Sequence, residues 1–143
     1  MRYVISKTSR KVIIPGIDIY SYGRCSIRKF DGTEIERQVP PVMVSELLRF
    51  LDQSGFFEVT AMEIDSKVQV ARHSPDGSLV LHFVSDDIYT AVSARTASKT
   101  NRIERYALDH ELEWYPEIME LKLLRDAIHR VCEVVGEKGL WRR

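Results

Sequence analysis

The sequence predicts an α+β domain: an antiparallel sheet from two hairpin/meander units, with two amphipathic helices packed on one face. Three observations point there. Two corners, Asp31-Gly32 and Pro75-Asp76-Gly77, sit between short runs of alternating character. Two other stretches, 44–51 and 121–135, repeat apolar residues every three to four positions. At 143 residues the chain has the size of a single domain, 1–143. A chain of that length buries roughly 70% of its unfolded surface, enough for a core without metal or disulfide.

Val12-Ile13-Ile14-Pro15-Gly16 is an apolar run closed by a breaker pair, so a strand end and then a turn are expected. Residues 17–22 set Ile17 and Ile19 against Asp18 and Tyr20, a second extended piece. The first hairpin spans 23–39, with Gly32 suited to the left-handed position after a type I turn. A three-residue loop pairs Ile27 with Ile35, Arg28 with Glu34 and Ser26 with Glu36. A two-residue loop would set Ile27 against Glu36 and Ile35 against Arg28. The first register matches apolar to apolar and charge to countercharge, and is the one expected.

Pro40-Pro41 blocks continuation of the strand. Val44, Leu47, Leu48 and Leu51 then predict a helix of about three turns ending at Gly55. Phe56-Phe57-Glu58-Val59 reads as a short buried or edge strand. A second hairpin is expected over 67–84, around Ser74-Pro75-Asp76-Gly77. Its four-residue loop places Val68, Val70, Leu79, Leu81 and Phe83 on one face, and Gln69, His73, Ser78, Val80, His82 and Val84 on the other. Asp86-Asp87 turns the chain, and 88–94 reads as a third strand.

Residues 93–106 are polar and aperiodic, which reads as a long loop. The last helix is predicted over 117–135, with Pro116 at its first turn and Gly136 at its end. Leu121, Leu124, Ile128, Val131 and Val135 form its stripe, and Glu117 and Glu120 complement its dipole. Trp114-Tyr115-Pro116 reads as an aromatic staple holding that helix to the core.

Composition excludes some functions. The 21 basic and 21 acidic residues cancel, so no overall attraction to nucleic acid or anionic lipid is expected. No apolar run approaches a membrane span, and the first residues have no signal-peptide core. Cys25 and Cys132 fit no Cys-x-x-Cys pattern, and a reducing, cytoplasmic setting is expected.

No metal or other cofactor is expected. His73, His82, His110 and His129 include no pair at i, i+4. On one ribbon, His73 and His82 stand too far apart for one ion at about 3.3 Å per residue. Asp109-His110-Glu111 places an imidazole between carboxylates, which raises its basicity. A small hydrolase using His110 or His82 would also need a nucleophile, and the sequence names none. The alternative for this tripeptide is an exposed charged loop. Cys25, between Arg24 and Arg28, is either a thiolate favoured by those cations or a packed thiol. The Lys99-Thr100 pair lacks the glycines of a phosphate-cradling loop.

Charge is segregated along the chain. Arg2, Lys7, Arg10 and Lys11 meet no acid within 1–11, and Arg95, Lys99, Arg102 and Arg105 face only Glu104 within 93–106. If these stretches meet, they offer a surface for phosphates or nucleic acid, with Tyr20, Tyr22 and Tyr106 for stacking. Otherwise they are solvated surface, balanced by Asp109, Glu111, Glu113, Glu117 and Glu120. Without convergent acid, base and nucleophile, the leading expectation is a non-catalytic interaction module. It would bind a protein, self or other, by a strand edge or open sheet face. Nucleic-acid or phosphate binding comes second and a small hydrolase third.

The order of hairpin with Asp31-Gly32, helix 44–51, Gly55-Phe56-Phe57, second hairpin and Pro116-led helix resembles a bacterial family of small domains of unknown function. Many of these sit on exported or lipid-anchored proteins. The resemblance covers roughly residues 17–135 as pattern, and Leu47 to Phe57 is its most specific piece. Of the close cysteine pair with which that family often begins, only Cys25 is present. The resemblance implies a fold and no site residues.

Overall fold

The computed structural model describes residues 2–7, 16–29, 31–72 and 88–137, with 2–7 and 88 described as backbone. Six strands form one antiparallel sheet: β1 (Arg2–Lys7), β2 (Gly16–Ile19), β3 (Arg24–Arg28), β4 (Glu34–Gln38), β5 (Ile88–Arg95) and β6 (Thr100–Tyr106). Their order is β4-β3-β2-β1-β5-β6. The β2–β3–β4 meander and the β5–β6 hairpin are the sheet's two antiparallel units, and β1 pairs with both. The fold class is α+β, as the sequence predicts.

The first hairpin has the predicted register: Ile27 opposite Ile35, Arg28 opposite Glu34 and Ser26 opposite Glu36. Its corner closes through Lys29 N–H donating to Thr33 O at 2.9 Å, and Gly32 takes φ +86°. The Asp31 carboxylate accepts the Thr33 N–H at 2.9 Å, the local bond that makes aspartate a turn residue.

Helix α1 (Pro41–Gln53) buries Val44, Leu47 and Leu51, as its period predicts. The expected strand at 56–59 is instead a single 3-10 turn, Phe56–Glu58. Gly55, at φ +85°, reverses the chain there and drops Phe56 into the core. The largest correction follows. Residues 67–72, expected in a strand, belong to α2 (Ala61–Arg72). Val68 is buried while Val70 is 76% exposed, so they do not share the face that a strand would give them. The rest of the expected hairpin, with its corner at 74–77, lies outside the described residues.

The polar stretch 93–106, expected as a loop, supplies the end of β5 and all of β6. Thr96 N–H donates to Lys99 O at 2.8 Å and closes a tight turn between them. An unpredicted short helix, α3 (Leu108–Trp114), follows. Helix α4 begins at Met119 rather than 117, so Pro116 sits in the preceding turn. Its stripe of Leu121, Leu124, Ile128, Val131 and Val135 is buried as expected.

One face of the sheet contributes Ile17, Ile19, Cys25, Ile27, Val92, Ala94 and Ile103 to the core. Helices α1 and α4 pack there, with Leu51, Leu124 and Ile128 almost fully enclosed. At roughly 1.5–3 kcal/mol per large side chain, this layer supplies the main favourable energy of folding. The opposite face carries cross-strand ion pairs: Arg24–Glu36 at 2.6 Å and Arg28–Glu34 at 2.7 Å. No helix among the described residues is long and apolar enough to cross a membrane.

Candidate functional site

The basic stretches are neighbours in the sheet where both are described. In backbone register Arg2 stands opposite Ser93, which stands opposite Arg102. Lys7 stands opposite Ile88 at the other end of β1, while Arg10 and Lys11 lie outside the described residues. The second stretch is largely committed to carboxylates. Lys99 meets Asp52 at 2.7 Å and Glu58 at 3.4 Å, and these contacts raise its pKa. Arg102 meets Glu104 at 3.4 Å. Arg95 is exposed at the end of β5.

Arg105 is the exception in burial. Its side chain is only 11% exposed and makes a two-pronged contact with Glu111, Nε to Oε1 at 2.9 Å and Nη2 to Oε2 at 2.6 Å. Nη1 reaches Asp65 at 2.6 Å. Burial works to lower its pKa, but the hydrogen bonds and charges of Glu111 and Asp65 outweigh it, so the pKa is raised. This triad ties β6 to both α2 and α3. Between Arg105 and Glu111 lies Ala107, whose φ of 56° is left-handed, a strain of about 1–2 kcal/mol for a residue with a Cβ. Glu111, expected in an exposed acidic run, is thus an anchor for the turn into α3. The adjoining cleft, about 310 Å³, also receives Arg72, whose Nε donates to the Tyr115 hydroxyl at 3.3 Å.

The remaining expected groups fall elsewhere. His110 packs on Trp114 with ring centres 5.5 Å apart, and His129 is exposed on α4. His73 and His82 lie outside the described residues. Cys25 is fully buried, and burial pushes its thiol pKa up against a smaller opposing effect of Arg37. It is therefore the packed thiol of the two readings. Cys132 is buried in α4. Tyr115 is core and Trp114 packs against the core, but the pair closes α3 rather than opening α4, where the staple was expected. Among the described residues, no group of three or more His, Cys, Asp or Glu is placed to hold a metal ion.

The sheet surfaces expected to receive a partner are internally satisfied at several points. Edge strand β4 has its glutamates in cross-strand pairs, and Arg37 donates to Val135 O at the end of α4. On edge strand β6, Asn101 accepts the Arg102 N–H and donates to Phe56 O and Val59 O. Charged and capped edges resist pairing with another chain.

Among the described residues the most exposed large apolar side chains lie on the helical layer, at Met62, Val70 and Met119, with Val42, Tyr22, Tyr20 and Tyr89 less exposed elsewhere. Helix α2 enters the core through Ile64 and Val68 alone. Its outer stripe, Met62, Ser66 and Val70, is spaced at i, i+4, and Met62 and Val70 are among the most exposed apolar side chains. Across from this stripe stands Met119 at the start of α4, 65% exposed. Between them runs a mainly apolar groove of about 440 Å³, lined by Ser66, Lys67, Val70, Ala71, Glu117, Ile118 and Met119. Met119 also lines a second cleft of about 460 Å³ that extends past Glu120 to Phe50, Glu58 and Glu63. Lys67 pairs with Glu120 at the junction, pinning α2 to α4. This bond lowers the Glu120 pKa against an opposing effect of burial. Sequence reading missed the groove because it placed Val68 and Val70 on one strand face.

Compared with protein-family models, curated proteins and solved structures, the chain finds no match.

Proposed function

We propose that this domain is a non-catalytic interaction module that binds protein through the groove between α2 and the start of α4. The observation that carries the reading is that Val70 and Met119, both strongly exposed, line an apolar groove with Ala71 and Ile118, while Met62 stands one turn before Ser66 on the same stripe of α2. Scattered exposed apolar residues are ordinary, but a contiguous set lining a concavity marks a docking surface. Methionine suits such a surface because its flexible, polarisable side chain refits to different partners. A groove between two helices takes an amphipathic helix, read through anchors at i, i+3, i+4 and i+7.

The test uses the four methionines as reporters. Protein labelled with 13C at the methionine methyls is titrated with a neutral amphipathic peptide of about 14 residues carrying leucines at those anchor positions. Saturable shifts at Met62 and Met119, with Met43 in α1 unchanged, are expected, as is their loss in Val70→Asp. Val70 is exposed, so that variant keeps the fold. A titration in which neither Met62 nor Met119 responds overturns the reading.

A further inference from the structure

Resting on that reading, we infer that the segment seated in the α2–α4 groove is an amphipathic helix of a partner protein bearing a basic residue, arginine above all, beside its apolar anchors. The two joined clefts are lined by five carboxylates, from Glu58, Glu63, Glu117, Glu120 and Asp126, against three cations. Of charged residues the groove itself holds only Lys67 and Glu117, and the excess acid lies in the adjoining cleft past Met119, so a cationic residue on the segment is favoured, and an anionic one disfavoured, at that end.

Glu120 makes the preference specific. One of its oxygens takes the Lys67 ammonium, while Oε2 is buried with no hydrogen-bond partner among the described residues. A buried carboxylate oxygen without a donor is an unmet demand, and lysine, a point donor, leaves it so. A guanidinium offers two parallel N–H groups and satisfies both oxygens at once. Lys67 is the movable member: its side chain is 52% exposed, against 15% for Glu120. An incoming arginine takes its place at Glu120 and releases the ammonium to solvent. The leucine-like anchors of the same helix cover Met119 and Val70.

Three peptides with the same leucine face, flanked by arginine, glutamine or glutamate, separate the possibilities in the methionine-methyl titration. The arginine peptide is expected to bind about ten-fold tighter than the neutral one and the glutamate peptide more weakly still, with the differences shrinking as salt rises. Glu120→Gln is expected to shrink the ratio of arginine-peptide to neutral-peptide affinity from about ten-fold to about two-fold, whatever it does to the affinity of either alone; an unchanged ratio overturns the role of Glu120. Equal binding of all three peptides overturns the basic-partner inference and leaves the docking groove standing. No response at Met62 or Met119 to any peptide overturns both. Methyl shifts that track protein concentration without peptide make the occupant a second copy of this chain, and the inference about partner chemistry falls.

Discussion

The Asp65–Arg105–Glu111 triad permits a sharp test of which contact holds β6 to the helices. The two carboxylates touch the same guanidinium at the same closest distance, 2.6 Å, but in different surroundings: the Glu111 side chain is 10% exposed and the Asp65 side chain 64%. A solvent-exposed pair contributes roughly 0–1 kcal/mol, because water and salt screen it. Removing one member of a buried pair costs roughly 3–5 kcal/mol, because the other charge stays desolvated and unpaired. Asp65 remains to Arg105 when Glu111 is truncated, so Glu111→Ala belongs at the lower end, about 3 kcal/mol. For a domain of this size that lowers Tm by about 10 °C. Asp65→Ala should cost less than about 1 kcal/mol. The double variant Arg105→Met/Glu111→Leu removes both buried charges and should recover to within about 1 kcal/mol of the parent protein. Urea denaturation followed by far-UV circular dichroism measures all three. Equal losses at Asp65 and Glu111, or a double variant no more stable than Glu111→Ala, would refute the assignment of the energy to burial.

Other consequences are equally concrete. At Gly23, where φ is +96°, an added Cβ would lie 2.1 Å from Val39 O, so Gly23→Ala must open the β3–β4 end of the sheet. A loss of at least about 2 kcal/mol is expected from urea denaturation, against little change for Gly32→Ala beyond the left-handed strain, since nothing among the described residues crowds that site. Asn101→Ala abandons the carbonyls of Phe56 and Val59 and the Arg102 N–H together. It should cost about 2–3 kcal/mol and raise hydrogen exchange at Arg102 first. The Glu120 carboxyl, held below the ordinary glutamate pKa mainly by its bond from Lys67, stabilises the fold above its unfolded pKa. That contribution disappears as pH falls through the lower folded value. Stability of Lys67→Met should therefore depend less steeply on pH across that acidic interval than stability of the parent protein, measured by urea titration at successive pH values.

Legibility in the sequence followed what each side chain had to satisfy. The β3–β4 register was readable because Ile27–Ile35 and Arg28–Glu34 pair correctly in one alignment only, and a slip of one residue would oppose Ile35 to Arg28. Helices α1 and α4 were readable because each buries a full apolar stripe. Helix α2 buries two residues, Ile64 and Val68, and its Val68–Val70 spacing imitates a strand. Its start was nevertheless encoded: Thr60 accepts the Glu63 N–H through its hydroxyl at 3.2 Å, in the order Thr-x-x-Glu of a capping box. That local signal outweighs a two-residue alternation.

Strand β6 is a harder case, and the reason is physical. Its core-facing positions are Asn101, Ile103 and Arg105, so hydrophobic alternation is absent from the sequence. Pairing with β5 sets Ile103 against Val92 and Arg105 against Thr90, and only then do the two polar side chains find their partners. Asn101 reaches the carbonyls of the 3-10 turn, and Arg105 reaches Glu111 and Asp65. Those partners lie some 6 to 45 residues away in the chain, on three different elements. A polar residue can face a core only when distant donors and acceptors converge on it, and no window along the sequence contains them together. The same convergence commits Arg105 and Lys99 to carboxylates, which is why two cations of the basic stretch 93–106 serve as scaffold, while among the described residues the most exposed large apolar side chains are Met62 and Val70 on α2 and Met119.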